Sequence, residues 1–201
     1  MQTQSAHTQI PIHELLANRW SARAFAPDKF LTHSHILALA EAARWAPSCH
    51  GEQPWRFIFC DRATNEAVWE SAFMCLVESN RIWAKNAPLL ILVTAKNEFS
   101  HNQKLNAWAQ YDTGAASENM CLQATGLGLI THQMAGVDFE AAREAFNLPD
   151  NVTCMAVIAV GYQASADLLE EEHLRERELA ERQRAPLEEH FFAGQWGMPL
   201  R

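Results

Sequence analysis

Apolar residues along this chain alternate between helical and strand periodicity. Ile12, Leu15 and Leu16 recur at i, i+3 and i+4, which predicts a short amphipathic helix over 12–17. Ile36, Leu39, Ala40 and Ala43 keep that spacing from Thr32 onward; Pro47, which lacks the N–H a continuing helix needs, ends this second helix near Trp45. Residues 57–60 read as a buried strand, and 65–83 as a third helical stretch broken by Pro88. The continuous apolar run 89–93 has strand length and no polar alternation, so it predicts a central strand covered on both faces. Residues 105–126 predict the longest helix, with Trp108, Tyr111, Ala115, Asn119 and Leu122 on or near one face. Its small residues at 114–117 predict close helix packing, inside the domain or across a dimer. Gly126-Leu127-Gly128 closes this helix, so it is not a dinucleotide fingerprint, whose glycines follow a strand and open a helix. A third strand over 129–134, a short helix begun by Asp138 and a fourth strand over 152–160 complete the pattern.

Residues 166–184 turn highly charged and predict an exposed helix, with Glu171–Arg175 and Glu178–Arg182 as i, i+4 ion pairs. Phe191, Phe192 and Trp196 follow it. An apolar end after a solvated helix has to pack on something, such as another subunit.

Composition narrows the class. The chain has 201 residues, 48% hydrophobic and 20% charged, enough for one globular domain with a sizeable core. No stretch approaches the ~20 consecutive apolar residues of a membrane span. Residues 1–8 lack the basic start and apolar run of a secretory signal, so a cytoplasmic location is expected. A net charge of −8 disfavours nucleic acid and anionic lipid as general partners, so any phosphate ligand requires a local arginine cluster. The five cysteines contain no CxxC pair and the histidines lack ligand spacing, indicating neither a disulfide framework nor a metal site.

Two stretches carry candidate chemistry. Arg19-Trp20-Ser21-Ala22-Arg23 places two arginines four apart with a serine midway. On a helix both guanidinium groups would point the same way, as a solvated face or as a fork for a phosphomonoester. Residues 46–57 place Pro47, Ser48, Cys49, His50 and Gly51 between a helix and a strand, either as an ordinary connection or as a ligand-contacting turn.

Arg19-x-Ser21-x-Arg23, Pro47-Ser48 with Gln53-Pro54-Trp55, Asn80 ahead of Ala87-Pro88, Gly126-Leu127-Gly128, Gly136 and Arg182-x-Arg184-x-Pro186 resemble, in that order, the nitroreductase family of FMN-dependent NAD(P)H oxidoreductases. The resemblance covers about residues 12–196. It implies an α+β fold with a mixed, mostly antiparallel sheet flanked by helices, and a single FMN-binding domain over 1–201. It further implies an intertwined homodimer, with an arm from about residue 185 onward packing on the partner and an FMN at each of two interface sites. Arg19, Ser21, Arg23, Arg182 and Arg184 would hold the ribityl phosphate, with Trp20 beside them. Pro47, Ser48, Cys49 and Gly51 would come from the second subunit along the flavin. Asn80 would meet the pyrimidine edge, and the backbone at Ala135 and Gly136 would reach flavin O4 and N5.

NADH or NADPH would supply hydride, and a nitroaromatic, quinone or similar small molecule would accept electrons. Specialised flavin chemistry, such as dehalogenation or flavin breakdown, and flavin binding with little reductase activity are the alternatives. No catalytic residue is named, because the flavin carries the chemistry. His50 and His132 are the nearby proton-donor candidates. The chain departs from the family pattern at Gly51, where many members have Asn, and at Ala135, where many have an acidic residue. Trp83 stands where some carry a flavin-contacting Lys.

Overall fold

The structure, a computed structural model, describes residues 4–200; Met1, Gln2, Thr3 and Arg201 lie outside the described residues, as do the expectations that fall on them. Strand β2 (Leu89–Lys96) is buried along seven of its eight residues. It pairs antiparallel with β1 (Trp55–Asp61) on one side and β4 (Val152–Gly161) on the other. β3 (Ile130–Met134) pairs antiparallel with β4, giving the order β1-β2-β4-β3. The sheet is therefore antiparallel throughout. Among the described residues, the one parallel pairing is the isolated bridge Ser21–Thr131, a corner of the mixed sheet that the resemblance implied.

Because side chains alternate along a strand, β2 feeds two cores. Leu90 and Leu92 join Cys60, Trp69, Trp83, Val157 and Phe25 on one face. Leu89, Ile91 and Val93 join Leu39, Ala43, Ala116, Met120 and Ile158 on the other. The first face is covered by α3 (Glu66–Met74), α4 (Glu78–Ala84) and α6 (Phe139–Ala145), the second by α2 (His33–Arg44) and α5 (Ala109–Gly126). The Thr32 side chain accepts from the His35 N–H while His35 accepts from the Thr32 N–H, a reciprocal cap that starts α2. Within the small-residue stretch of α5, Ala116 and Ser117 turn inward. Gly114 faces open space, so close packing there is not made within the chain.

Three helical expectations change. The stretch 65–83 is two helices, because Cys75, Leu76 and Val77 pair with the segment after β3: Val77 N–H donates to the Gly136 carbonyl (3.0 Å) and Asp138 N–H to the Cys75 carbonyl (2.7 Å). The long helix starts at Ala109 rather than Leu105, since Leu105 is held in an antiparallel bridge to Glu98, beside the Asn106 N–H bond to the Asn97 carbonyl (2.7 Å). In the charged stretch only α7 (Glu172–Leu179) is α-helical, after a 3-10 turn at Ala166–Leu168. Neither expected ion pair forms. Arg175 donates to the Leu169 and Glu170 carbonyls, and Glu178 is buried. A short α1 (Glu14–Asn18) precedes the sheet, and α8 (Leu187–His190) leads into an end on which Trp196 is 92% exposed.

Gly161 ends β4 where Pro88 and Phe25 converge; a Cβ there would sit 2.6 Å from Pro88 Cδ and 2.8 Å from Phe25 Cδ1. Gly161→Ala is expected to destabilise the fold by about 1–3 kcal/mol through overpacking. A urea midpoint unchanged from wild type would contradict this.

Candidate functional site

Arg19 leaves α1 with extended backbone angles (φ −66°, ψ 124°), and the bridge from Ser21 to Thr131 lays the following residues along the outer edge of β3. Residues i, i+2 and i+4 of an extended chain share a face. Arg19, Ser21 and Arg23 therefore line up by strand alternation, not by the helical spacing considered above. Ala22 and Ala24, on the alternate face, are buried. Trp20 goes with them: it packs against the core and borders a cavity of about 320 Å³ with Leu15, Gly128 and Leu129.

Three contacts hold this segment. The His132 ring lies with Nδ1 3.0 Å from the Ala22 carbonyl oxygen, which accepts its proton. The Glu178 carboxylate accepts from the Arg23 N–H (2.9 and 3.1 Å) and the Ala24 N–H (3.0 Å). Arg182, just past α7, donates to the Gln4 carbonyl (2.7 Å) and the Ala17 carbonyl (2.6 Å), which brings the C-terminal arginines to the N-terminal ones. Arg184 is exposed beside it and donates to the Gln183 carbonyl.

The electrostatics are those of a cation cluster. Arg19 pairs with Glu118 at 3.3 Å. Among the described residues the half-buried Arg23 guanidinium has no ion pair; burial lowers its pKa, Glu178 nearby raises it and Arg177 lowers it again. Burial, then Arg19 and Arg184, lower that of Arg182. Burial, with Arg23 and Arg19 adding to it, pushes the His132 imidazole down to about 4 although the Ala22 and Ser21 backbone favours its charged form. His132 is thus neutral at pH 7 and a poor proton donor. Its ring lies tilted against Trp83, centroids 4.5 Å apart, and Trp83 also stacks on Phe25 and is only 3% exposed, so Trp83 belongs to the core.

A second group sits where β3 ends. Asn80 Nδ2 donates to the Gly136 carbonyl at 3.1 Å. A Cβ at 136 would lie 2.7 Å from both Asn80 Nδ2 and Val77 Cγ2, so only glycine fits. Ala135 is exposed. The remaining predicted residues lie in the loop before β1. Ser48 Oγ accepts from Gln53 N–H (3.0 Å), Cys49 N–H donates to Asp112 on α5 (2.9 Å), and Glu52 accepts from Ser100 N–H (2.8 Å). His50, Gly51 and Gln53 all have positive φ (54°, 68° and 51°), a concentration of strain typical of functional turns. Pro47 is exposed. The loop's bonds run to Asp112 on α5 and to Ser100, whereas the arginine cluster draws on β3, α7 and Glu118, farther along α5. Sequence reasoning missed Glu118, Asp112 and Glu178, whose carboxylates organise these two regions; nothing in a charged run marks the one acid that folds inward.

The geometry is thus that of an α+β fold with arginines along one sheet edge and, just past the end of the same edge strand, Gly136 backed by Asn80 of α4. Comparison makes this specific: the nitroreductase family model matches residues 16–82 and 76–162, and the chain belongs to that family. An uncharacterized 15.4 kDa protein of Mycolicibacterium smegmatis is 38% identical over 128 residues, 62% of this chain and 82% of its own. A protein of Archaeoglobus fulgidus, provisionally named an NADH dehydrogenase/NAD(P)H nitroreductase, is 29% identical over 154 residues, 74% of this chain and 83% of its own. Among solved structures, an oxidoreductase containing FMN superposes with a TM-score of 0.90 at 30% identity, covering 98% of this chain and 99% of that one.

The His132 environment sets a pH dependence. In the unfolded chain the imidazole takes a proton near pH 6.5, in the native protein only near pH 4, so between these values the unfolded state binds more protons. Stability is expected to fall on acidification across that window, by up to about 3 kcal/mol from this group. Denaturation of His132→Asn, which keeps a donor for the Ala22 carbonyl, should show a shallower loss between pH 7 and 4.5. Equal slopes for variant and wild type would exclude the effect.

Proposed function

We propose that the chain is an FMN-dependent oxidoreductase that takes hydride from NADH or NADPH and delivers electrons to a nitroaromatic, quinone or similar acceptor. The observation that carries this reading is the half-buried Arg23 guanidinium, which has no ion pair among the described residues and stands on the same extended segment as Arg19, itself close to Arg182 with Arg184 next to it. Arg19 already meets Glu118 and Arg182 meets two backbone carbonyls, whereas the Arg23 guanidinium pairs with no carboxylate among the described residues and is open to an anion. The donor set suits a terminal phosphomonoester, whose oxygens accept from guanidinium forks. The FMN content of the solved relative and the name of the Archaeoglobus protein support the same assignment.

Arg19, Arg23, Arg182 and Arg184, with the Ser21 hydroxyl, would bind the phosphate. Thr131 and Gly136 stand five residues apart on and just past β3, roughly 16 Å of extended chain, so the other end of the ligand would lie toward Asn80. The bond to Gly136 leaves Asn80 with Oδ1 and a second N–H for a ring edge that both donates and accepts. Bound FMN would supply the chemistry by accepting hydride at its ring and passing electrons on. The protein's part is to hold and tune that ring, and no side-chain acid or base is assigned. Ser48, Cys49 and Gly51 would reach the site from a second subunit, on which residues from about 185 onward would pack; the exposure of Trp196 and Phe191 in one chain supports a homodimer.

The purified protein is expected to be yellow, to release FMN rather than FAD, and to bleach with NADH or NADPH and recover with a quinone or nitroarene. FAD as the main flavin, or a flavin that neither nucleotide bleaches, would overturn the assignment. Arg23→Ala removes a charge-assisted bond of roughly 1.5–3 kcal/mol, so FMN affinity should fall about 10- to 150-fold by fluorescence titration.

A further inference from the structure

Glu178 is the most deeply buried carboxylate contact of the arginine cluster, only 4% exposed, and it belongs to none of the motifs by which the site was recognised. Its acceptors are spent on backbone. Both oxygens receive the Arg23 N–H and one also receives the Ala24 N–H, three contacts of 2.9–3.1 Å across 154 and 155 residues of sequence. Burial raises its pKa, and these N–H bonds with the nearby Arg23 charge lower it. No carboxylate of the described residues is within ion-pair distance of the Arg23 guanidinium, Glu178 included. An acid meant to neutralise Arg23 would bridge its side chain. This one grips the main chain and leaves the guanidinium available.

The grip is part of a larger clasp. Four residues beyond Glu178, Arg182 donates to the Gln4 and Ala17 carbonyls, and the Gln4 side-chain amide donates back to the Glu178 carbonyl at 3.1 Å. One short limb of chain, from the end of α7 to Arg184, thereby holds both the Arg23 backbone and the end of α1 against the segment that carries Arg182.

We propose that Glu178 is a positioning residue for the anion site: by fixing the backbone at Arg23 and Ala24 it presents Arg23 in register with Arg182 and Arg184, and so determines affinity for the phosphate end of the cofactor. This rests on the phosphate reading above. It makes a prediction opposite to simple electrostatics, in which removing a negative charge beside an anion site would tighten binding.

The test compares FMN with riboflavin, which lacks the phosphate, by fluorescence titration of flavin-free protein. Wild type is expected to prefer FMN by at least about 30-fold. Glu178→Gln, which exchanges an acceptor for an N–H donor facing N–H groups, is expected to cut that preference about tenfold or more while riboflavin affinity stays within about twofold. In an Arg23→Ala background the same substitution should change the preference by less than about threefold, since the two act through one group. Should Glu178→Gln fail to fold, Glu178→Asp keeps the charge but shortens the reach, and the FMN preference should fall with it. A preference retained in the variants, a tighter hold on FMN, or equal losses for FMN and riboflavin would each overturn the positioning role. A wild type without preference for FMN would instead overturn the phosphate reading, and the role of Glu178 with it.

Discussion

The burial of β2 and β4 on both faces is the constraint from which the rest of the architecture follows. Ile91 opposite Ile158 and Leu92 opposite Val157 leave neither strand a face that water can cover, so helices are required on both sides of the sheet. With the centre occupied by these two strands, β1 and β3 become edges. β1 runs antiparallel against β2 and ends at a turn; β3 offers a free row of backbone groups. The chain from Arg19 to Phe25 covers that row, touching it through the Ser21–Thr131 bridge and the His132 ring. The position of the candidate site is thus a by-product of how an edge was closed.

Closing the edge with an arginine-bearing segment concentrates positive charge in an otherwise acidic protein, and partial burial sharpens it. Desolvation lowers the pKa of both Arg23 and Arg182; Arg19 and Arg184 add to it at Arg182, while at Arg23 the nearby Glu178 opposes it and Arg177 adds to it. Burial, with the charges of Arg23 and Arg19 adding to it, keeps the neighbouring imidazole neutral, so His132 serves as a donor to backbone rather than as an acid.

The parts of the fold written in local pattern were legible: the apolar runs of β2 and β4, the helix that begins at Thr32 and the Pro47 stop. Features created by distant pairing were not. Residues 75–77 contain neither Gly nor Pro, and the helix breaks there only because the backbone after β3 takes their hydrogen bonds. Arg19, Ser21 and Arg23 were recognisable as a unit, yet a spacing of four fits both a helix face and an extended face, and the tertiary bridge decided for the latter. Glu178 sits among acids that are chemically identical to it, and its burial depends on partners more than 150 residues away.

The turn after β3 divides tolerance sharply between two adjacent positions. At 136 the Asn80 amide and the Val77 methyl leave no room for even a β-carbon, while at 135 the alanine side chain is open to its surroundings. Chemical variety at this point on the strand has one outlet. A protein with this backbone can exchange the side chain at 135 to adjust charge or hydrogen bonding beside the site, and do so without disturbing the clamp that holds the turn in place.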